Sequence, residues 1–423
     1  MAGSTYLTRS ISSTGNRKKW TWSGWLKRTT LDRSYIFSST NWGSGSDKYS
    51  TFFIENNFTL NYYDYTSDYQ SRLVTNRLFR DLNCYYHIVI TYDSGQSTSS
   101  DRIKFYINGV QETSFSTASY PSQDYDSFVN LSGVPLYLGR ESGTGSLFDG
   151  IMSHVHFCDG YAYAASDFGE TDSTTGEWKI KTSPSVSYGT NGYFLFKDNA
   201  SVNDQSGNNN NFTLTAGTLT PTQDNPSNVF ATLNSLANIG SASTYENGNT
   251  TITGNSNWGA NPSTIATGTT GKYYAECKIV AQASAYSQFG IMSVEAVPNW
   301  TLGYVHTSAD AIVWSIDHRS GQSKIESNSS SIISTPTQFS DGDIIGMAID
   351  VDNGKIYFHR NGTYVTYTGY VQNPSSGSYG ISLPTSTSGY HIMGNAYPSA
   401  KISINFGNGY FGTTAVSSAG TNA

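Results

Sequence analysis

Apolar and polar side chains alternate along this chain in short runs, and each run stops at a turn signal. The clearest instance occurs twice. Arg102-Ile-Lys-Phe-Tyr-Ile-Asn-Gly109 and Gly354-Lys-Ile-Tyr-Phe-His-Arg-Asn-Gly362 both alternate and then break at Asn-Gly, a dipeptide that accepts the positive φ of a tight hairpin turn. Each copy follows another alternating run, 86–92 in one half and 343–350 in the other, so each half is expected to hold a three-strand meander. The pattern predicts further strands over 20–28, 35–38, 50–55, 58–63, 110–115, 136–139, 150–158 and 192–197. Only 161–168 reads as a short helical turn. The second half adds 272–280, 289–294, 311–316, 344–351, 355–359, 363–367 and 401–406. Turn punctuation every eight to twelve residues or so is the spacing of a sandwich. Between the halves lies the asparagine-rich stretch 201–211, followed by Pro221 and Pro226. The expected organisation is therefore all-β: a domain over 1–198, a linker over 199–228 and a second domain over 229–423. Heptads and short tandem repeats are absent from the sequence, which excludes a coiled-coil or β-helical shaft.

Composition sharpens this picture. Charged residues make up 13% and aromatic residues 14% of the chain, with 41 Gly and 31 Tyr. Disorder would need more charge and fewer rings. A net charge of -7 lacks the basic stripe of a nucleic-acid partner, and Arg17-Lys18-Lys19 reads as a solvated loop. The three cysteines, Cys84, Cys158 and Cys277, cannot form a closed disulfide framework, so free thiols and a reducing folding compartment are expected. The first residues lack the apolar run of a signal peptide. No stretch approaches the roughly 20 apolar residues of a membrane span.

The first half resembles a laminin-G or concanavalin-A-like jelly roll. Trp20-Thr-Trp-Ser-Gly-Trp-Leu-Lys-Arg28, Tyr85-Tyr-His-Ile-Val-Ile-Thr-Tyr-Asp93, Lys104-Phe-Tyr-Ile-Asn-Gly109, Leu136-Tyr-Leu-Gly-Arg140 and the run 148–160 carry the likeness. The second half resembles a SPRY domain through Gly271-Lys-Tyr-Tyr-Ala-Glu276, Asp341-Gly-Asp-Ile-Ile-Gly-Met-Ala-Ile-Asp350 and the 354–362 hairpin. The joining segments 168–179, 188–193 and 224–234 look like segments of virion proteins from marine bacteriophages, those of cyanobacterial phages above all. That resemblance implies a virion protein with a laminin-G-like domain followed by a SPRY-like one.

Candidate chemistry follows from that frame. Glycan hydrolases of the concanavalin type need a nucleophile and an acid on one strand, commonly as Glu-x-Asp-x-x-Glu. The sequence has no such run, so no catalytic residues are assigned and the protein is expected not to be an enzyme. His154-Val-His156 puts two imidazoles on one strand face, where structural histidines are expected. Laminin-G-like domains often hold calcium at one rim, which makes Asp93, Asp101 and Asp149 candidate ligands. Sugar rings stack on Tyr and Trp while polar groups take their hydroxyls. Trp42, Tyr62, Tyr63, Tyr65 and Tyr69 in the first domain, and Trp300, Tyr304 and Tyr390 in the second, are the candidate ligand-binding residues. The expected role is a tail-fibre or head-fibre subunit that adheres to host-surface polysaccharide or protein. Its partners would be tail or capsid proteins and two further copies in a homotrimer, with no nucleic acid and no membrane insertion. A capsid decoration protein and, further off, a glycan-cleaving enzyme are the alternatives.

Overall fold

The computed structural model describes residues 4–416 apart from 42–46, 142, 144, 199, 238, 242, 284, 302, 303, 336 and 337. The chain forms two compact units, one of residues 1–221 with 225–229 and the other of 222–224 with 230–423. Each is a sandwich of two antiparallel sheets, and no α-helix occurs among the described residues. The all-β, concanavalin-like architecture expected from the sequence is what the chain adopts.

In the first unit an eight-stranded sheet runs in the order Phe115–Ser119, Tyr69–Leu78, Thr59–Tyr65, Tyr49–Ile54, Ser34–Thr40, Pro135–Leu138, Tyr6–Ser10, Thr213–Ala216. It faces a six-stranded sheet ordered Tyr193–Leu195, Gly150–Asp159, Lys19–Arg28, Tyr86–Asp93, Ile103–Ile107, Val110–Glu112. Between them lie Trp20, Trp22, Phe37, Phe52, Tyr62, Phe105 and Phe157, with Trp20 stacked on Tyr92 at 5.1 Å. Gly24 makes this layer possible, because a Cβ there would stand 2.5 Å from the Trp22 indole. The predicted Asn-Gly turn is present, with Asn108 at φ 48° and Gly109 at φ 82°.

A third layer covers the outer face of the six-stranded sheet. Residues 161–192 cross it as a strap, a three-residue 3-10 turn at Ala165–Asp167 and a small hairpin of Gly169–Thr171 with Trp178–Ile180. Trp178 packs so tightly that a Cβ at Gly109 or at Gly169 would lie 2.5 Å from its ring. This cover explains why Lys19–Arg28 is buried along nearly its whole length, contrary to the half-exposed pattern of a two-layer sandwich.

The stretch expected as a linker carries structure of the first unit. The Asp204 carboxylate accepts bonds from the backbone N–H groups of Phe194, Ser206 and Asn210, and Phe212 enters the core. Thr213–Ala216 then pairs with Tyr6–Ser10. Asparagine amides stand in for a backbone ladder here. Asn208 and Asn210 both donate to the Gly192 carbonyl, so a polar composition reads as loop while the segment is held in place.

The second unit pairs a seven-stranded sheet (Ile239–Gly240, Gly259–Pro262, Tyr390–Tyr397, Tyr286–Ser293, Ala311–Asp317, Gln322–Ser327, Ser330–Thr335) with an eight-stranded one. The latter is centred on Lys272–Ala281 and Ile344–Asp350; Lys355–Arg360 pairs with Ile344–Asp350 and turns at the predicted Asn361-Gly362 into Thr363–Tyr364. Phe289, Trp314, Ile345, Met347, Phe358 and Ile404 fill the space between. All three cysteines are free, with Cys158 and Cys277 buried and Cys84 half-buried.

Candidate functional site

In the first unit, the end of the six-stranded sheet near Asp93 opens into a cleft of about 470 Å³ lined by Lys19, Thr91, Asp93, Gln96, Asp101, Lys104, Tyr106 and residues 160–164. One wall is the sheet and the other is the start of the strap. Two threonines on the sheet pin that strap. The Thr21 hydroxyl donates to the Tyr161 carbonyl at 2.9 Å and accepts from the Tyr163 N–H at 2.8 Å. The Thr91 hydroxyl donates to the Tyr163 carbonyl. Tyr161 and Tyr163 therefore stand parallel, with ring centroids 5.7 Å apart, and Tyr161 is 41% exposed.

Charge in the cleft is balanced. Lys19 Nζ lies 3.1 Å from Asp93 Oδ2, and Lys104 Nζ lies 3.0 Å from Asp101 Oδ1. The Gln96 amide donates to Asp93 at 2.8 Å. Donors and acceptors alternate over a short distance beside tyrosine rings. The cleft thus combines convergent polar groups with tyrosine rings in one concave site.

The three aspartates that the sequence offered as calcium ligands do not converge on one point. Asp93 and Asp101 do share the cleft, but an ammonium sits against each carboxylate where a cation would bind. Asp149 lies elsewhere and accepts from the Thr29 hydroxyl. Among the described residues no group of three or more His, Cys, Asp or Glu side chains is placed to hold a metal ion.

The tyrosines predicted on 62–69 lie on two neighbouring strands, Thr59–Tyr65 and Tyr69–Leu78, and divide between the two faces of their sheet. Tyr62 points into the core and is 1% exposed, so it is a core residue and not a ligand contact. Tyr63 and Tyr65 point outward and each meets Tyr69 at 5.3 Å. The Arg72 guanidinium covers Tyr63 and Tyr69, forming a tyrosine–arginine ridge. Trp42 lies outside the described residues.

In the second unit the predicted aromatics do not form one site. Tyr390 is buried and its hydroxyl donates to the Pro384 carbonyl, which removes it from any ligand surface. Tyr304 packs on Trp258, which also stacks on Tyr397 at 5.1 Å and meets Tyr286. Trp300 lines a separate cleft of about 370 Å³ with Glu295, Asn299 and Asp310.

Lys19, Gln96, Lys104, Tyr106, Tyr161 and Tyr163 escaped the sequence reading. A signal existed for two of them: Tyr161-Ala-Tyr163 follows Gly160 with a period of two, the mark of an extended strap, and the short helical turn expected over 161–168 is confined to Ala165–Asp167. His154 and His156 are structural, as expected. His154 sits at a β-bulge with φ 47°, and His156 bonds the Tyr188 hydroxyl at 2.9 Å.

Residues 2–167 match the laminin G-like model described as the concanavalin A-like lectin/glucanases superfamily. The matched span includes the whole cleft. Domains LG4–5 of the mouse laminin alpha1 chain are 9% identical over 98% of this chain and 94% of that one, with a TM-score of 0.31. The SPRY domain of human HERC1 is 17% identical over 41% of this chain and 98% of its own, with a TM-score of 0.29. A putative carbohydrate binding protein from Bacteroides ovatus is 18% identical over 51% of this chain and 58% of its own, at a TM-score of 0.31. No curated protein matches the chain.

Proposed function

We propose that this protein is a bacteriophage virion adhesin, a tail-fibre or head-fibre subunit whose first unit holds host-surface saccharide in the cleft beside Tyr161 and Tyr163. The observation that carries the reading is the charge-balanced cleft: two lysine–aspartate pairs, an amide and tyrosine rings converge in about 470 Å³. The match of residues 2–167 to a lectin/glucanase superfamily supports the ligand class. The phage origin rests on the likeness of segments 168–179, 188–193 and 224–234 to virion proteins. In this reading the chain is made in the host cytoplasm, assembles into the particle as a homotrimer, and contacts tail or capsid proteins without inserting into a membrane or binding nucleic acid. It binds without cleaving, since both cleft carboxylates are engaged by lysines.

Fluorescently labelled protein is expected to bind phage-susceptible cells and not a resistant derivative. Tyr161→Ala and Lys19→Ala should each weaken that binding by about tenfold, a loss on the order of 1.4 kcal/mol. Because the cleft is neutral overall, raising the salt should change the affinity little. Absence of binding by the folded protein to either strain would overturn the adhesin reading.

The ridge of Tyr63, Tyr65, Tyr69 and Arg72 favours a second reading. It is rich in the residue types that dominate protein interfaces, which suits a capsid decoration protein. Under that reading Tyr63→Ala with Tyr65→Ala impairs incorporation into particles and leaves cell binding unchanged.

A further inference from the structure

The cleft of the second unit has the opposite chemistry. It is formed by the segment after Tyr286–Ser293, by Asp310 ahead of Ala311–Asp317, and by Thr385, Ser386 and Thr387 ahead of Tyr390–Tyr397. Its lining contains two carboxylates, Glu295 and Asp310, and no Lys, Arg or His.

The donors in this lining are largely spent. The Ser386 and Thr387 hydroxyls and the Thr387 N–H all donate to the Glu295 carboxylate, at 2.7–2.9 Å. The Asn299 amide donates to the Glu295 carbonyl. These bonds hold Glu295 ionised, well below the usual carboxylate range, with the Thr387 hydroxyl the largest cause. Asp310 is exposed, and its carboxylate makes no hydrogen bond or ion pair among the described residues. What faces the cleft is two carboxylates with no cationic side chain in the lining to balance them.

Trp300 supplies a different kind of wall. Its indole packs on the cluster of Met292, Val305, Ala311 and Met393, which fixes the ring at the cleft edge. Its Nε1 is buried without a hydrogen-bond partner. An indole face attracts both apolar C–H groups and cations.

We propose that this second cleft binds a protonated amino sugar within a glycan. Such a residue offers an ammonium and several hydroxyl donors to a doubly anionic lining, and a C–H face to the indole. A neutral sugar leaves the carboxylates uncompensated. A lysine side chain supplies the charge but brings no hydroxyls for the Ser and Thr oxygens. This site is independent of the saccharide cleft in the first unit, and either assignment stands if the other falls.

Calorimetric titration of the full chain with a glucosamine hexamer, an N-acetylglucosamine hexamer and a lysine hexamer tests it. The glucosamine hexamer is expected to bind, with affinity about tenfold lower in Asp310→Asn and falling further as salt is raised. Trp300→Phe should also weaken it. Tyr161→Ala in the first unit should have no effect, which separates this site from the other. Equal binding of the acetylated hexamer, equal binding of the lysine hexamer, an unaffected Asp310→Asn protein or no binding at all each overturns the proposal.

Discussion

Acidification from about pH 7 to about pH 4 is expected to destabilise the first unit by several kcal/mol, and His87 is expected to carry the largest share. Its ring is enclosed between Trp25 and Trp178, with centroids 4.5 and 5.9 Å away. Trp178 Nε1–H donates to Nδ1 at 3.0 Å, so Nδ1 is the bare nitrogen, and Nε2–H donates to the Ser23 hydroxyl at 2.9 Å. A second proton on Nδ1 would face an N–H donor in a site closed to water. Burial accordingly pushes the His87 pKa down to about 3 and that of His154 to about 4, and holds His156 well below the ordinary value. All three folded values are depressed. The stability they confer is complete above the unfolded value near 6.5 and is lost as pH falls through the window down to about 3. For His87 the loss is on the order of 4 kcal/mol. Asp64 opposes them: burial raises its pKa to about 6, so its contribution is full below about 4 and is lost as pH rises through 6. Three histidines outweigh one carboxyl. Urea melts between pH 7 and pH 4 check this. His87→Gln should be less stable than the parent at pH 7 by about 2–3 kcal/mol yet show a shallower pH dependence, and an unchanged slope would refute the assignment.

Trp178→Ala is the second large effect. The indole fills the hollow over Gly109 and Gly169, donates to His87 and packs with Phe168 and Ile180 across two clusters of the third layer. Truncating a large ring in such a setting costs about 3–5 kcal/mol. The loss should be local before it is global, because the layer crosses the sheet without adding strands to it. Hydrogen exchange is expected to accelerate over 161–192 while Lys19–Arg28 and Tyr86–Asp93 keep their protection. Since the same strap forms one wall of the cleft proposed to hold saccharide, this variant should also lose ligand binding without touching a lining residue. Uniform deprotection of the whole first unit would contradict a separable third layer.

The Asn-Gly hairpins and the half-buried strands were legible because period-two alternation reports one dry face and one wet face. Tyr390–Tyr397 was not, because a central strand covered on both sides has no alternation to read. Gln322–Ser327 and Ser330–Thr335 were missed for another reason: serine-rich strands at the edge of a sheet look like loops. The same parity limits the site. Alternation says that Tyr62 and Tyr63 point to opposite faces, but only the pairing of whole sheets decides which face is the core. The cleft was the least legible feature, since Lys19, Asp93, Lys104 and Tyr161 come from four separate segments and nothing local links them.

The pairing of Tyr6–Ser10 with Thr213–Ala216 sets how the first unit bears mechanical load. Tyr6 lies opposite Ala216 at the open end of an antiparallel pair, and Thr8 lies opposite Thr213 further in. A pull applied across the two ends of this unit meets the ladder bonds one after another and opens it like a zipper, whereas a pull along the strands would load them together. The seam is therefore loaded bond by bond before tension reaches the buried sheets.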